Sequence, residues 1–254
     1  MGRNERWEVG DRPFLDVRVP VGTIEVCAGT SGHVQLTVDA ADADEFEIFK
    51  TGDRISVRHP SRWRMRGRNS RIVAEVPSGT DVEVSSTSGE VRLMGRLGVV
   101  RVHTASGDIK VGDATRLDVT TASGQVSCGD ISGEANISSV SGDCELRVVD
   151  GRLDATLTSG DLRVDECGGD ITVASTSGDV RIGRCCGSDI AVRSISGDVR
   201  VGLPTGIRVE AEISTLSGRA SLPDAAPAQV DRERRPVRLH LKTVSGDIRV
   251  ERTS

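Results

Sequence analysis

Aspartates recur at one place in a repeated tag, directly after a Ser-Gly pair, and Asp143, Asp161, Asp179 and Asp198 are the four in successive repeats. Stacked one strand apart, their carboxylates could present a row of oxygens to Ca²⁺, which takes several such ligands. The alternative chemistry is local, because Asp favours turns and accepts hydrogen bonds from nearby backbone N–H groups. Two residues after three of these acids come Arg163, Arg181 and Arg200, whose charges would neutralise the acidic row. The glycine-rich calcium-roll nonapeptide is absent, and only Gly168-Gly169-Asp170 partly matches it. The sequence therefore favours turn chemistry over a metal row, and no cofactor is expected.

Six cysteines form the next group: Cys27, Cys128, Cys144, Cys167, Cys185 and Cys186. No Cys-x-x-Cys occurs, and His33, His59, His103 and His240 are scattered, so the pattern does not suggest zinc. Cys128 and Cys144 fall on apolar positions and read as small core side chains. Cys167 and Cys186 each precede a Gly-x-Asp turn, and stacking on adjacent coils would make them a redox candidate. The segment Ser61–Arg71 holds Arg62, Trp63, Arg64, Arg66, Arg68 and Arg71. Such residues could grip phosphate and stack on a base, or equally be the solvent face of a strand. The formal net charge of −5 argues against nucleic acid as the partner.

Catalytic signatures are missing: there is no GxSxG elbow, P-loop, GxGxxG or HExxH. Ser-Gly recurs too often to mark a nucleophile. Some solenoid enzymes build a site from stacked acids, and Asp150 with Asp154 is the nearest such pair here. The expectation is that the chain is not an enzyme.

The element that must position these residues is a repeat. The tag glycines are Gly89, Gly107, Gly124, Gly142, Gly160, Gly178, Gly197, Gly218 and Gly246, spaced by 18, 17, 18, 18, 18, 19, 21 and 28 residues. Halfway between them lies a second series, Gly98, Gly133, Gly151, Gly169 and Gly187, so the unit is about nine residues. Two and four residues after each tag glycine stand apolar pairs, such as Leu162/Val164, Val180/Ile182, Val199/Val201, Ala220/Leu222 and Ile248/Val250. The half-units repeat the pattern with Leu153/Ala155, Ile171/Val173 and Ile190/Val192. One polar or small residue inside each pair gives a short strand with one face inward. Gly89, Gly107, Gly124, Gly142, Gly160, Gly178 and Gly197 then serve as turns with positive φ.

Constant spacing places like residues on like, which predicts an all-β, single-stranded β-solenoid (β-helix-like) of ~18-residue coils. Residues 81–254 form that repeat region, with an exposed loop at 223–236 and the Val244–Val250 unit closing the stack. Residues 1–80 read as a strand-rich N-terminal cap region continuous with it. They carry all five aromatics and alternate in runs such as Leu15-Asp-Val17-Arg-Val19 and Val34-Gln-Leu36-Thr-Val38. No helix is expected anywhere.

These tandem TSGD and ISGDVRV units, strongest from Ser85 to Val201, resemble a bacterial family of SGD-type β-strand repeat proteins of unknown function, often called "putative adhesins". The resemblance implies a β-solenoid and a surface or binding role. The N-terminus has no apolar run of signal-peptide length, and no stretch approaches a membrane span. The expected location is therefore cytoplasmic, with the cell surface as the alternative. The expected function is a non-enzymatic interaction or scaffold module offering flat faces to a protein or polysaccharide. A cell-surface adhesin exported by an unrecognised route is the second reading, and a polysaccharide-active solenoid enzyme the third.

Overall fold

The structure is a computed structural model describing residues 2–59, 70–223 and 236–253. The described residues are almost wholly β-strand, with one 3₁₀ turn at Ala43–Glu45 and no α-helix. The chain divides into two compact units, Met1–Gly129 and Asp130–Ser254. The sequence places its composition boundary near residue 80, inside the first unit.

In the first unit the strand Phe14–Gly29 is woven among the repeats. Its first half pairs in parallel with Arg54–Arg58 and Asp81–Ser88, so Val17 lies beside Val57 and Val84. Its second half pairs in parallel with Ser70–Pro77 and Val91–Ser106, so Ile24 lies beside Ile72 and Val91. These side chains are fully or nearly fully buried, as alternation with one inward face requires. Antiparallel pairs flank them: Gly2–Glu8 with His33–Asp39, that strand with Ser70–Pro77, and Glu47–Thr51 with Arg54–Arg58. Asp16 is completely buried and is held by Arg18 and Arg54, each at 2.9 Å.

In the second unit two parallel ladders run through the repeats. One carries Leu153 onto Ile171, Ile190 and Leu239, and the other carries Leu162 onto Val180, Val199 and Ile248. Eight side chains in these two rows are at most 1% exposed, so the apolar pairs read from sequence do form the core.

The last two strand pairs are out of sequence order. Val237–Ser245 lies between Asp189–Ser196 and Val209–Ser217, and Ile248–Thr253 lies between Val199–Pro204 and Ala220–Ser221. The C-terminal unit is thus an inner coil, and Val209–Ser221 takes the place expected of Val244–Val250. Burial explains the exchange. Leu239, Leu241, Ile248 and Val250 are a bulkier set than Ala211, Ile213, Ala220 and Leu222. Covering the bulkier set on both sides removes more apolar surface from water. Ala220 and Leu222, expected to point inward, are accordingly exposed, Leu222 by 54%.

All seven predicted turn glycines have positive φ, from 114° at Gly160 to 150° at Gly89. At Gly160 a Cβ would lie 2.3 Å from the carbonyl oxygen of Gly142, so both the conformation and the stacking exclude a side chain.

Candidate functional site

The outward positions of the strands Leu162–Cys167, Val180–Cys185, Val199–Pro204 and Ile248–Thr253 build the most distinctive surface of the second unit. Alternation turns one residue of each apolar pair's interval to solvent, and in all four strands that residue is arginine. Register stacks Arg163 on Arg181, Arg181 on Arg200 and Arg200 on Arg249. Neighbouring guanidinium stems are thus one strand spacing apart, ~4.8 Å. Like charges at that separation repel, and carboxylates offset part of the repulsion. Arg163 pairs with Asp165 at 3.1 Å, Arg181 with Asp179 at 2.8 Å and Arg249 with Glu251 at 4.0 Å. Arg200 has no ion pair among the described residues.

The residue two places beyond each arginine varies along the ladder. It is Asp165 and Glu251 in the outer strands but Gly183 and Gly202 in the inner two. A Cβ on Gly202 would overlap the Gly183 carbonyl, so the strands approach closely there. The result is a groove of about 230 Å³ floored by Gly183 and Gly202, walled by Arg163, Arg181 and Arg200, and bounded by Asp165 and Glu251. Guanidinium groups bind carboxylate, sulfate or phosphate in bidentate fashion, and stacked ones suit a ligand that repeats its charge.

The tag acids do different work. Asp143 accepts the backbone N–H of Asp161 at 2.9 Å, Asp161 that of Asp179 at 2.8 Å, and Asp179 that of Asp198 at 2.9 Å. Asp198 accepts from Asp247 at 2.9 Å, and Asp247 from Arg219 at 2.8 Å. Each carboxylate thereby ties its turn to the next coil in space. Asp154 is clasped by Arg152 at 2.7 Å, and that hydrogen bond holds its carboxyl below the usual range against a smaller opposing effect of burial. Asp154, one of the Asp150/Asp154 pair, is therefore held by an arginine.

The sequence profile of the Toastrack DUF4097 family matches residues 15–254. The chain belongs to that family. It is an all-β, solenoid-like domain family whose function is unknown. No curated protein matches this chain in sequence. Among solved structures it is similar to a "putative adhesin" from Bacteroides fragilis, with 13% identity, a TM-score of 0.53, and coverage of 100% of this chain and 97% of that one. A "putative lipid binding protein" from Parabacteroides distasonis matches with 13% identity, a TM-score of 0.44 and the same coverage. At 13% identity the likeness to the first of these concerns the fold alone.

In this Toastrack chain the cysteine pairing differs from the sequence expectation. Cys167 lies opposite Cys185, not Cys186. The repeat keeps its 18-residue step up to Gly187, whose position stacks on Gly169, and the extra residue of this coil is Ser188 in the turn behind it. Asp170 absorbs the insertion by accepting the N–H groups of both Ser188 and Asp189 at 2.9 Å. Cys167 and Cys185 are fully buried and share a hydrogen bond, which holds the Cys167 thiol down and pushes the Cys185 thiol up. Cys186 is exposed. Of the Arg/Trp segment, Arg71 lies on Ser70–Pro77 and is engaged by Glu25 at 2.8 Å. Arg62, Trp63, Arg64, Arg66 and Arg68 fall outside the described residues, as does most of the 223–236 loop.

Sequence reasoning named Arg163, Arg181 and Arg200 only as neutralisers of the acids and missed Arg249. The signal was present, because VSGDIRV at Val244–Val250 repeats ISGDVRV at Ile195–Val201.

Proposed function

We propose that the chain is a non-enzymatic binding module whose ligand is an extended carboxylate-bearing polymer lying along the arginine ladder. The observation that carries this reading is the strict register of Arg163, Arg181, Arg200 and Arg249 beside a glycine-floored groove, with Arg200 unpaired among the described residues. A repeating anion can contact successive arginines without distorting the sheet, and it replaces guanidinium repulsion with charge-assisted hydrogen bonds. The adhesin names of similar folds are compatible with such a role. The compartment we propose is the cytoplasm, supported by six free cysteines, which suit a reducing environment.

The test is retention on immobilised polyuronate, polyglutamate and a neutral glucan. Retention on one or both acidic polymers and not on the glucan is expected, and comparison of the two acidic arms separates polysaccharide from polypeptide ligands. The Arg181→Ala/Arg200→Ala variant should bind about tenfold more weakly, from roughly 0.7 kcal/mol per half-exposed charge contact. Equal retention on all three, or no effect of the variant, overturns the reading. Bound polyuronate should be recovered at its original length, and shortening would restore the enzyme alternative.

A further inference from the structure

Away from the arginine ladder, within the first unit, three side chains of metal-ligating type converge. Asp42 precedes the 3₁₀ turn Ala43–Glu45, Glu45 is its last residue, and His59 follows the strand Arg54–Arg58. One ligand atom from each lies within 4.8 Å of the others, and this is the one such group among the described residues. We propose that Asp42, Glu45 and His59 form a binding site for a divalent transition cation, with Zn²⁺ the best match.

The distances suit that ion. His59 Nε2 stands 3.3 Å from Asp42 Oδ2. Two ligands each about 2.05 Å from a tetrahedral zinc are themselves about 3.3 Å apart. The Asp42–His59 pair therefore already has the bite of a zinc site. The third ligand, Glu45, is exposed, and its carboxylate lies within 4.8 Å of the other two ligand atoms.

The histidine is also pre-oriented. Its ring meets the ring of Phe46 edge-on, with centroids 4.8 Å apart and planes at 75°, and its backbone N–H donates to the Arg18 carbonyl at 3.2 Å. The ring contact and the backbone hydrogen bond hold the histidine in place beside Asp42. The acids lie apart from the basic side chains. Many outward acids of this protein lie against an arginine, whereas Asp42 and Glu45 have no Lys or Arg partner among the described residues.

Donor chemistry selects the cation. One imidazole nitrogen with two carboxylate oxygens suits Zn²⁺ and its first-row neighbours. Ca²⁺ and Mg²⁺ favour all-oxygen shells. Three protein ligands leave a fourth position for water. On binding, the metal takes the Nε2 lone pair of a neutral imidazole whose proton sits on Nδ1, and any proton displaced from Nε2 is released to solvent. The hydrogen bond to Asp42 is replaced by two metal–ligand bonds, so the ion would tie the 3₁₀ turn to the strand end.

The experiment is calorimetric titration of the chelator-treated full chain with Zn²⁺, paired with the visible spectrum of the Co²⁺ form. One zinc per chain is expected, with a Co²⁺ spectrum lacking the thiolate charge-transfer band. His59→Gln should abolish binding. Glu45→Gln, at an exposed position that cannot compromise folding, should weaken it about tenfold. Cys186→Ser should change nothing. Absence of saturable binding, retention of full affinity in Glu45→Gln, or loss of binding in Cys186→Ser overturns the site.

Discussion

Replacing Gly160 with alanine tests the physical basis of the stacked turns. Gly160 has φ +114°, and a Cβ there would lie 2.3 Å from the Gly142 oxygen and 2.7 Å from the Gly142 carbonyl carbon. Ordinary contact begins near 3.4 Å, so the coils must part by roughly 1 Å at a place where the ladder fixes their spacing. Left-handed backbone costs a non-glycine residue about 1–2 kcal/mol, and overpacking about 1–3 kcal/mol more. The sum is about 2–5 kcal/mol. At ~2 cal/mol/K per residue, that lowers the melting temperature by about 4–10 °C if the whole chain unfolds together, and by about twice as much if the second unit unfolds alone. Two controls separate the contributions. Gly52 has φ +59° with nothing within 4 Å of its Cβ position, so Gly52→Ala carries backbone strain alone, about 1–2 kcal/mol. Gly29 has neither feature, so Gly29→Ala should be close to neutral. Differential scanning calorimetry of the three variants is the assay. A Gly160→Ala cost no larger than that of Gly52→Ala would refute the argument that the neighbouring coil forbids a side chain.

Other consequences follow from the hydrogen bonds and charges. Asp161→Ala removes the acceptor for the Asp179 N–H, and should cost about 1 kcal/mol in urea unfolding, equally with and without calcium. Calcium-dependent stabilisation of the wild type alone would restore the metal-row reading. Burial would raise the Asp16 carboxyl, but hydrogen bonds from Arg54 and Arg18 outweigh it and hold the group below its usual range. Its contribution is therefore present above the ordinary Asp range and lost as pH falls through the depressed value. Asp16→Asn should lower stability by about 1–3 kcal/mol at neutral pH and flatten the acid limb of the stability–pH curve; an unaltered limb would contradict this. Burial, aided by Asp143, pushes the Cys144 thiol up to about 11. In timed alkylation with mass spectrometry, Cys186 should react first, while Cys144, Cys167 and Cys185 wait for unfolding; early labelling of Cys144 would contradict its burial.

The core was legible because a two-residue period and a constant repeat leave few arrangements of Leu162/Val164, Val180/Ile182 and Val199/Val201. The turns were legible because glycine at a fixed phase has a backbone reason to be there. What local pattern cannot encode is the order in which coils stack. Val209–Ser217 and Val237–Ser245 both satisfy the repeat grammar, and only the greater bulk of Leu239 and Leu241 sends the later strand inside. A single inserted residue has a similar effect. Ser188 follows Cys186, so the 18-residue step reaches Cys185, and a motif-based alignment on the next Gly-x-Asp slips by one. The arginine ladder was visible as residues but not as a site, because its distinctive feature is the loss of the acid at Gly183 and Gly202. Asp42, Glu45 and His59 left no signal at all, since a 3₁₀ turn and a strand end bring them together across 14 residues of sequence.

The central claim is that the stacked arginines are the binding surface. The most direct measurement is a calorimetric titration of whichever acidic polymer the wild type retains, polyuronate or polyglutamate, into the wild type and into a variant with Arg163, Arg181, Arg200 and Arg249 all changed to Ala, each at low and at ~0.15 M salt. The prediction is saturable binding by the wild type that weakens with salt, and binding about 100-fold weaker by the variant, with both proteins melting alike. Undiminished binding by the variant, or no binding by the wild type at low salt, would contradict it.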